Sequence, residues 1–262
     1  MQQIRQPAVA GLFYPADTQE LTAMIDSFLA ATPIGREPPP KAIIVPHAGY
    51  IYSGPVAAAA YRRLEPLRGR ISRVVLLGPS HRVGFIGLAV SSADQFHTPL
   101  GDIALDRAMC EQLATLPQVH RLDQAHAMEH SLEVQLPFLQ RVLDAFQLVP
   151  LVVGEATAEE VAEVLDIAWG GEETLIVISS DLSHYHSYAE AQRMDRSTCH
   201  AIEALKSESI DHEGACGRNP VIGLLQVARR KGLTAHTLDL RNSGDTAGSK
   251  ESVVGYGAWS FN

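Results

Sequence analysis

Short apolar runs alternate with stretches whose apolar residues recur every three or four positions, and this alternation continues along the whole chain. Such a pattern predicts a sheet covered by helices. The first helix is marked by Asp17 as a cap, with Glu20 three residues on and Leu21, Met24, Ile25, Phe28 and Leu29 forming one apolar face. A second opens at Pro55, a good first helical residue, and runs through the alanines to Leu64. Further helices are expected from Ser131 to Phe146, with a kink or late start imposed by Pro137, and from the Thr157-x-x-Glu160 capping box to Trp169. Another spans Tyr188 to Leu205. The last begins at Asn219-Pro220 and stops at Gly232.

Between the helices lie strand patterns at Ala42-Val45, Val74-Leu77, Ile86-Val90, Leu148-Val153, Leu175-Ile178, Thr237-Leu240 and Val253-Tyr256. Several are apolar on both faces, as strands are inside a sheet covered on each side. The fold class is therefore α/β, three-layer, with a central, mostly parallel or mixed sheet and helices on both faces. The Pro-rich stretch Glu37-Pro38-Pro39-Pro40 leads straight into a strand and reads as a stiff surface connection rather than a linker. A single domain over 1–262 is expected.

Composition narrows the class. An apolar share of 46% in 262 residues is ample for a core. No basic segment leads into an apolar stretch, and no apolar run approaches the roughly 20 residues that span a bilayer, so neither export nor a membrane partner is expected. The three cysteines (Cys110, Cys199, Cys216) are too few and too far apart for a disulfide framework. That usage suits a reducing compartment and places the protein in the cytoplasm. A net charge of -9 repels nucleic acid. The basic runs Arg62-Arg63 and Arg229-Arg230-Lys231 sit where helices end, and a cation there complements the helix dipole.

The chemistry gathers at strand ends. Three apolar strands finish in small or turn-forming residues and then a histidine: Val45-Pro46-His47, Leu77-Gly78-Pro79-Ser80-His81 and Ile178-Ser179-Ser180-Asp181-Leu182-Ser183-His184. Ligand crevices in covered sheets lie beyond the carboxyl ends of the strands, so these imidazoles can meet there. Two histidines and a carboxylate form a ligand set with open positions for substrate or oxygen. The segment Glu129-His130-Ser131-Leu132-Glu133 can line the same cleft or simply start a helix. Asp245, in a Gly-Asp turn, reads first as a turn residue, and it is also the best-placed carboxylate to complete the set. Cys216-Gly217-Arg218 places a thiol and a guanidinium ahead of a helix N-terminus, where thiol pKa falls and anions are attracted, although a buried structural cysteine is the commoner reading. Dinucleotide, Walker, nucleophile-elbow and Cys-x-x-Cys motifs are all missing, which leaves nucleotide and serine-hydrolase functions without support.

Six ordered segments carry a resemblance. Arg5 to Pro15, Pro46-His47-Ala48-Gly49-Tyr50, Gly78-Pro79-Ser80-His81, Glu129 to Glu133, Ser179 to His184 and Cys216-Gly217-Arg218 resemble those of the Memo family over essentially the whole chain. Prokaryotic members of that family are called AmmeMemoRadiSam system protein B. The resemblance implies a fold like that of the LigB-like class III extradiol dioxygenases, which open catechol rings with non-haem Fe(II) and dioxygen. It implies His47 and His81 as metal ligands, and His184 as an acid/base residue oriented by Asp181. It implies a third ligand near Asp245, where the vertebrate relative has a cysteine, and with an aspartate there Fe(II) is favoured over copper or zinc. Tyr50, Ser80, His130, Glu129, Cys216 and Arg218 are the expected cleft residues.

Three functions follow from this set. The first is a metal-dependent oxidoreductase acting on a small phenolic or related substrate. The second is an adaptor whose pocket binds a metal or a peptide, beside Amme-type and radical-SAM partner proteins. The third is zinc-dependent hydrolysis with a metal-bound water.

Overall fold

The computed structural model describes residues 3–33, 35 and 38–262, so Glu37 of the Pro-rich connection lies outside the described residues. The strands, in chain order, are β1 Ile4–Arg5, β2 Ala42–Val45, β3 Arg73–Pro79, β4 Leu88–Val90, β5 Gln95–Thr98 and β6 Gly101–Ala104. They continue with β7 Val119–Arg121, β8 Gln147–Val153, β9 Thr174–Ser179, β10 His184–His186, β11 Ala235–Asn242 and β12 Val253–Phe261. The helices are α1 Thr18–Ala31, α2 Tyr50–Tyr61, α3 Arg107–Leu113, α4 Asp123–Ala127, α5 Leu136–Val142, α6 Ala158–Ala168, α7 Tyr188–Glu203 and α8 Arg218–Lys231.

Among the described residues, nine strands form the central sheet in the order β10-β12-β2-β9-β3-β8-β4-β7, with β11 also paired to β12. The middle of the sheet, β2-β9-β3-β8, is parallel; β12 and β4 flank it antiparallel. Alternate residues of these strands enter different cores. Ile43, Val45, Val74 and Leu76 pack with α1, α2 and α5, whereas Ala42, Ile44, Val75 and Leu77 pack with α3, α6, α7 and α8. Two helical layers therefore enclose a mixed sheet, because the apolar runs leave neither face fit for water.

Local chemistry sets most boundaries where the sequence puts them. Asp17 caps α1 by accepting from the N–H groups of Gln19 and Glu20, Thr157 and Glu160 form a reciprocal capping box on α6, and Gly232 ends α8 at φ 70°. Helix α2 differs from expectation, since it starts at Tyr50 after Gly49 and carries Pro55 inside. Pro55 only removes the donor that Ile51 would have used, and Ile51 lies in the exposed first turn. Strand β4 starts at Leu88 instead of Ile86, because Gly87 turns at φ 89° against the Gln118 carbonyl, where a Cβ would sit 2.1 Å away. Among the described residues, no helix is long and apolar enough to cross a membrane.

The topology positions the site. Strands β2, β9 and β3 are parallel neighbours, with Val45 beside Ser179 and Leu77 beside Ile178, so their carboxyl ends release three loops at one edge. Strand β10 then pairs with the start of β12, which brings the segment before Val253 to the same edge.

Candidate metal centre

The three histidines at these strand ends converge. The His47 and His81 ring centroids are 5.2 Å apart, and both rings line, with His130 and His184, a cavity of about 620 Å³. His130 stacks on His81 at 4.5 Å. Aromatic rings of Phe13, Tyr52, Tyr185 and Tyr256 form much of the remaining wall, with Ser243, Ser249 and Ser252 beside them.

His47, His81 and His184 are each tied at Nδ1. His81 Nδ1 lies 2.9 Å from Glu129 Oε1, while its backbone N–H donates to Oε2 of the same carboxylate at 2.6 Å. His184 Nδ1 donates to the Leu182 carbonyl at 2.8 Å. His47 Nδ1 lies 2.9 Å from Ser179 Oγ. Since a carboxylate or a carbonyl can only accept, His81 and His184 carry their protons on Nδ1 and keep a lone pair on Nε2. The thiol of Cys216 is the next neighbour, with Sγ 3.3 Å from His47 Nε2. Ligand atoms of His47, His81 and Cys216 all lie within 4.8 Å of one another.

Burial sets the electrostatics of the cluster and disfavours the charged forms of His47, His130 and His184. Burial, reinforced by the neighbouring His81, His130 and His184, pushes the His47 pKa well down. Burial and His81 bring His130 to about 4 and also lower His184. Burial works against the Glu129 carboxylate, yet hydrogen bonds from the His81 ring, the His81 N–H and the Ser131 N–H outweigh it and hold Glu129 at about 2. Asp181 is pushed up to about 7 by burial, against the donors His47 N–H and Ala48 N–H. Burial and the Asp181 charge push the Cys216 thiol up, so the expected lowering at the N-terminus of α8 does not occur. A bound cation reverses that tendency, because coordination deprotonates a thiol outright.

Several expected residues stand elsewhere. Asp245 is not at the cavity: it accepts from the Tyr188 hydroxyl at 2.5 Å and caps the turn that starts at Asn242, as a Gly-Asp turn residue does. Asp181 does line the cavity, but its carboxylate holds the His47 backbone N–H at 2.7 Å, and the Leu182 carbonyl orients His184 instead. Tyr50 is buried in the core with its hydroxyl on the Val134 carbonyl at 2.7 Å. Glu129 lies beneath His81 instead of facing the cleft, and its Oε1 also accepts from the N–H groups of His130 and Ser131. Arg218 turns away to the Ile210 carbonyl at 2.7 Å. Ser80 and Cys216 line a separate cavity of about 280 Å³.

Sequence reasoning passed over Ser179 and Gln135, both buried and both bonded at the site. Gln135 carries a signal in hindsight, being an uncharged polar residue between the apolar Val134 and Leu136 at a helix start. Away from the cavity, His126 is buried with Nε2 on the Ala89 carbonyl at 3.0 Å, and His97 pairs with Asp102 on the surface.

Residues 5–260 match the family described as Memo-like protein. A protein of Aquifex aeolicus named "MEMO1 family protein" is 39% identical over 97% of both chains. One of the same name from Sulfolobus acidocaldarius is 36% identical, again over 97% of each. Among solved structures, uncharacterized protein JW3007 from Escherichia coli K12 is similar at a TM-score of 0.50 and 17% identity, covering 82% of this chain and 98% of that one. That last likeness concerns the fold.

Proposed function

The chain belongs to the Memo family, and from that premise we propose that its histidine-lined cavity is a mononuclear metal site, related to that of LigB-like extradiol dioxygenases, where a small phenolic or related substrate is oxidised. The observation that carries this reading is the meeting of His47, His81 and Cys216, with ligand atoms within 4.8 Å of one another. The donor set fits a divalent transition ion. It offers imidazole nitrogens and a thiol, and no lysine or arginine among the described residues lines the cavity to repel a cation. Cys216 takes the place expected for Asp245 as third ligand. A thiolate is softer than a carboxylate, so Fe(II) stays the first candidate while copper and zinc both gain ground.

When bound, the ion would supply Lewis acidity toward substrate hydroxyl oxygens and one-electron chemistry toward dioxygen. The chain's own residues do the rest. His184 lines the cavity with its proton held on Nδ1, so its unprotonated Nε2 is the atom that can take a hydroxyl proton from the substrate. Asp181 fixes the backbone at His47. Tyr52, Tyr185 and Tyr256 line the cavity, and tyrosine rings suit contact with a planar substrate ring.

Anaerobic loading with Fe(II), followed by oxygen-uptake assays on a panel of catechols, tests the proposal. Uptake with at least one diol is expected, and His184→Ala should abolish it while metal binding persists. An iron-loaded protein that consumes no oxygen with any diol overturns the oxidoreductase reading. Elemental analysis of protein purified without chelators separates iron from copper and zinc. A second reading, an adaptor that binds a peptide or a partner of the Amme or radical-SAM type, draws on exposed Leu12, Ile51 and Tyr185 in or next to segments that line the cavity. It predicts that His184→Ala leaves function nearly intact.

A further inference from the structure

Behind the His47 ring runs a chain of hydrogen bonds that stays within the core. The Tyr61 hydroxyl donates to Gln135 Oε1 at 2.8 Å. Gln135 Nε2 donates to the Pro46 carbonyl at 2.9 Å and to Ser179 Oγ at 2.8 Å. The Ser179 hydroxyl donates to the Ser131 carbonyl at 2.6 Å, and Ser179 Oγ lies 2.9 Å from His47 Nδ1. Tyr61, Gln135, Ser131 and Ser179 are each fully buried, and the Tyr61 ring stacks on Phe138 at 4.8 Å, which anchors the far end.

The proton positions follow by elimination. A carbonyl only accepts, so the single Ser179 proton is committed to Ser131, and the Gln135 atom facing Pro46 is its amide nitrogen. The second proton of that nitrogen meets Ser179. With its own proton committed, Ser179 Oγ can only accept from His47, which therefore bears its proton on Nδ1 and a lone pair on Nε2. Nε2 is the atom that faces Cys216 Sγ.

We propose that Ser179, held by Gln135, is a positioning residue that locks His47 in its metal-ready tautomer before an ion arrives. The inference rests on the reading of the cavity as a metal site. Without the Ser179 hydroxyl, a buried Nδ1–H would have no acceptor, and moving the proton to Nε2 would relieve that loss while closing the lone pair to metal.

The experiment reads the tautomer directly. In metal-free, 15N-labelled protein near neutral pH, long-range proton–nitrogen correlations should show His47 protonated at Nδ1 alone. Ser179→Ala should turn that single tautomer into a mixture or the opposite form, and weaken Zn(II) binding by about 10- to 100-fold. Ser179→Thr, which retains the hydroxyl, should restore both. Protonation of His47 at Nε2 in metal-free wild type overturns the proposal, whether or not the variants fold. So does a folded Ser179→Ala that keeps the wild-type tautomer and Zn(II) affinity. If wild type takes up no Zn(II), Fe(II) or copper, the metal reading fails, and the tautomer in wild type and in Ser179→Ala alone supports or overturns the relay.

Discussion

Cys216 and Asp245 divide what one residue was expected to do. Both follow a turn-forming stretch in the C-terminal half of the chain, and a carboxylate is the commoner partner for two histidines, so the sequence favours Asp245. The folded chain brings Cys216 to His47 because the turn before α8 packs on Ser180, where Gly217 N–H donates to Ser180 Oγ at 3.0 Å. Cys216→Ser should therefore weaken Fe(II) or Zn(II) retention by at least about 10-fold, since a hydroxyl is a poor ligand for these ions. Asp245→Asn should leave it unchanged. Competition against a chromophoric chelator measures both, and the reverse ranking would return the third position to Asp245.

His126 supplies a pH test away from the cavity. It is buried, and burial brings its pKa to about 4. The unfolded chain regains an ordinary value of about 6.5, so between those two values the unfolded state holds a proton that the folded state refuses. Stability is then lost as pH falls through that window. Over the interval of about 1.5 pH units from 6.5 down to pH ~5, the loss amounts to about 2 kcal/mol at 1.36 kcal/mol per unit. His126→Gln can still donate to the Ala89 carbonyl, and should remove this share of the acid sensitivity. Urea midpoints compared at pH ~7 and pH ~5 check it; parallel pH slopes in wild type and variant would mean that His126 titrates normally.

Elements were legible where local chemistry decides them. The caps at Asp17 and Thr157 and the stop at Gly232 bond within a few residues of themselves, so their signals lie in short windows of sequence. Strand β10 carries only His184-Tyr185-His186, with no apolar alternation, and it exists because β12 pairs with it. Contacts between elements are likewise hidden from sequence. Gly223 looks like a weak point in α8, where alanine would gain up to about 1 kcal/mol in helix propensity. Helix α6 changes the outcome, because a Cβ at Gly223 would stand 2.3 Å from Val161 Cγ1 and 2.5 Å from Val161 Cβ. One helix must move, and overpacking costs about 1–3 kcal/mol. Gly223→Ala should lower the urea midpoint with the slope unchanged. A raised midpoint would show that α6 and α8 have room to separate.

On the scale of the whole molecule, the first residues of the chain are part of the site's support. Arg5 pairs with Glu133 at 2.5 Å across 128 positions of sequence, and it also donates to the carbonyls of His126 at 3.1 Å and Glu129 at 2.7 Å. Glu133 accepts in addition from Ala8 N–H, Val9 N–H and the Tyr14 hydroxyl. Both partners are buried, so the fork of Arg5 grips the segment that carries Glu129 and His130. Read locally, Glu133 is a helix-start residue; its acceptor role becomes visible only once the N-terminal segment is folded against it. Arg5→Met would leave that carboxylate buried without its cation, and removing one partner of a buried pair costs about 3–5 kcal/mol. Lysine should not rescue the loss, because a single ammonium cannot reproduce a planar fork shared among three acceptors. Urea denaturation should thus rank wild type well above Arg5→Lys, and Arg5→Lys at or above Arg5→Met. Metal affinity should fall along the same series, since Glu129 orients His81 from the gripped segment. A stability loss with metal affinity intact would mean that Glu129 keeps its place without Arg5, and that the N-terminal strap serves the fold alone.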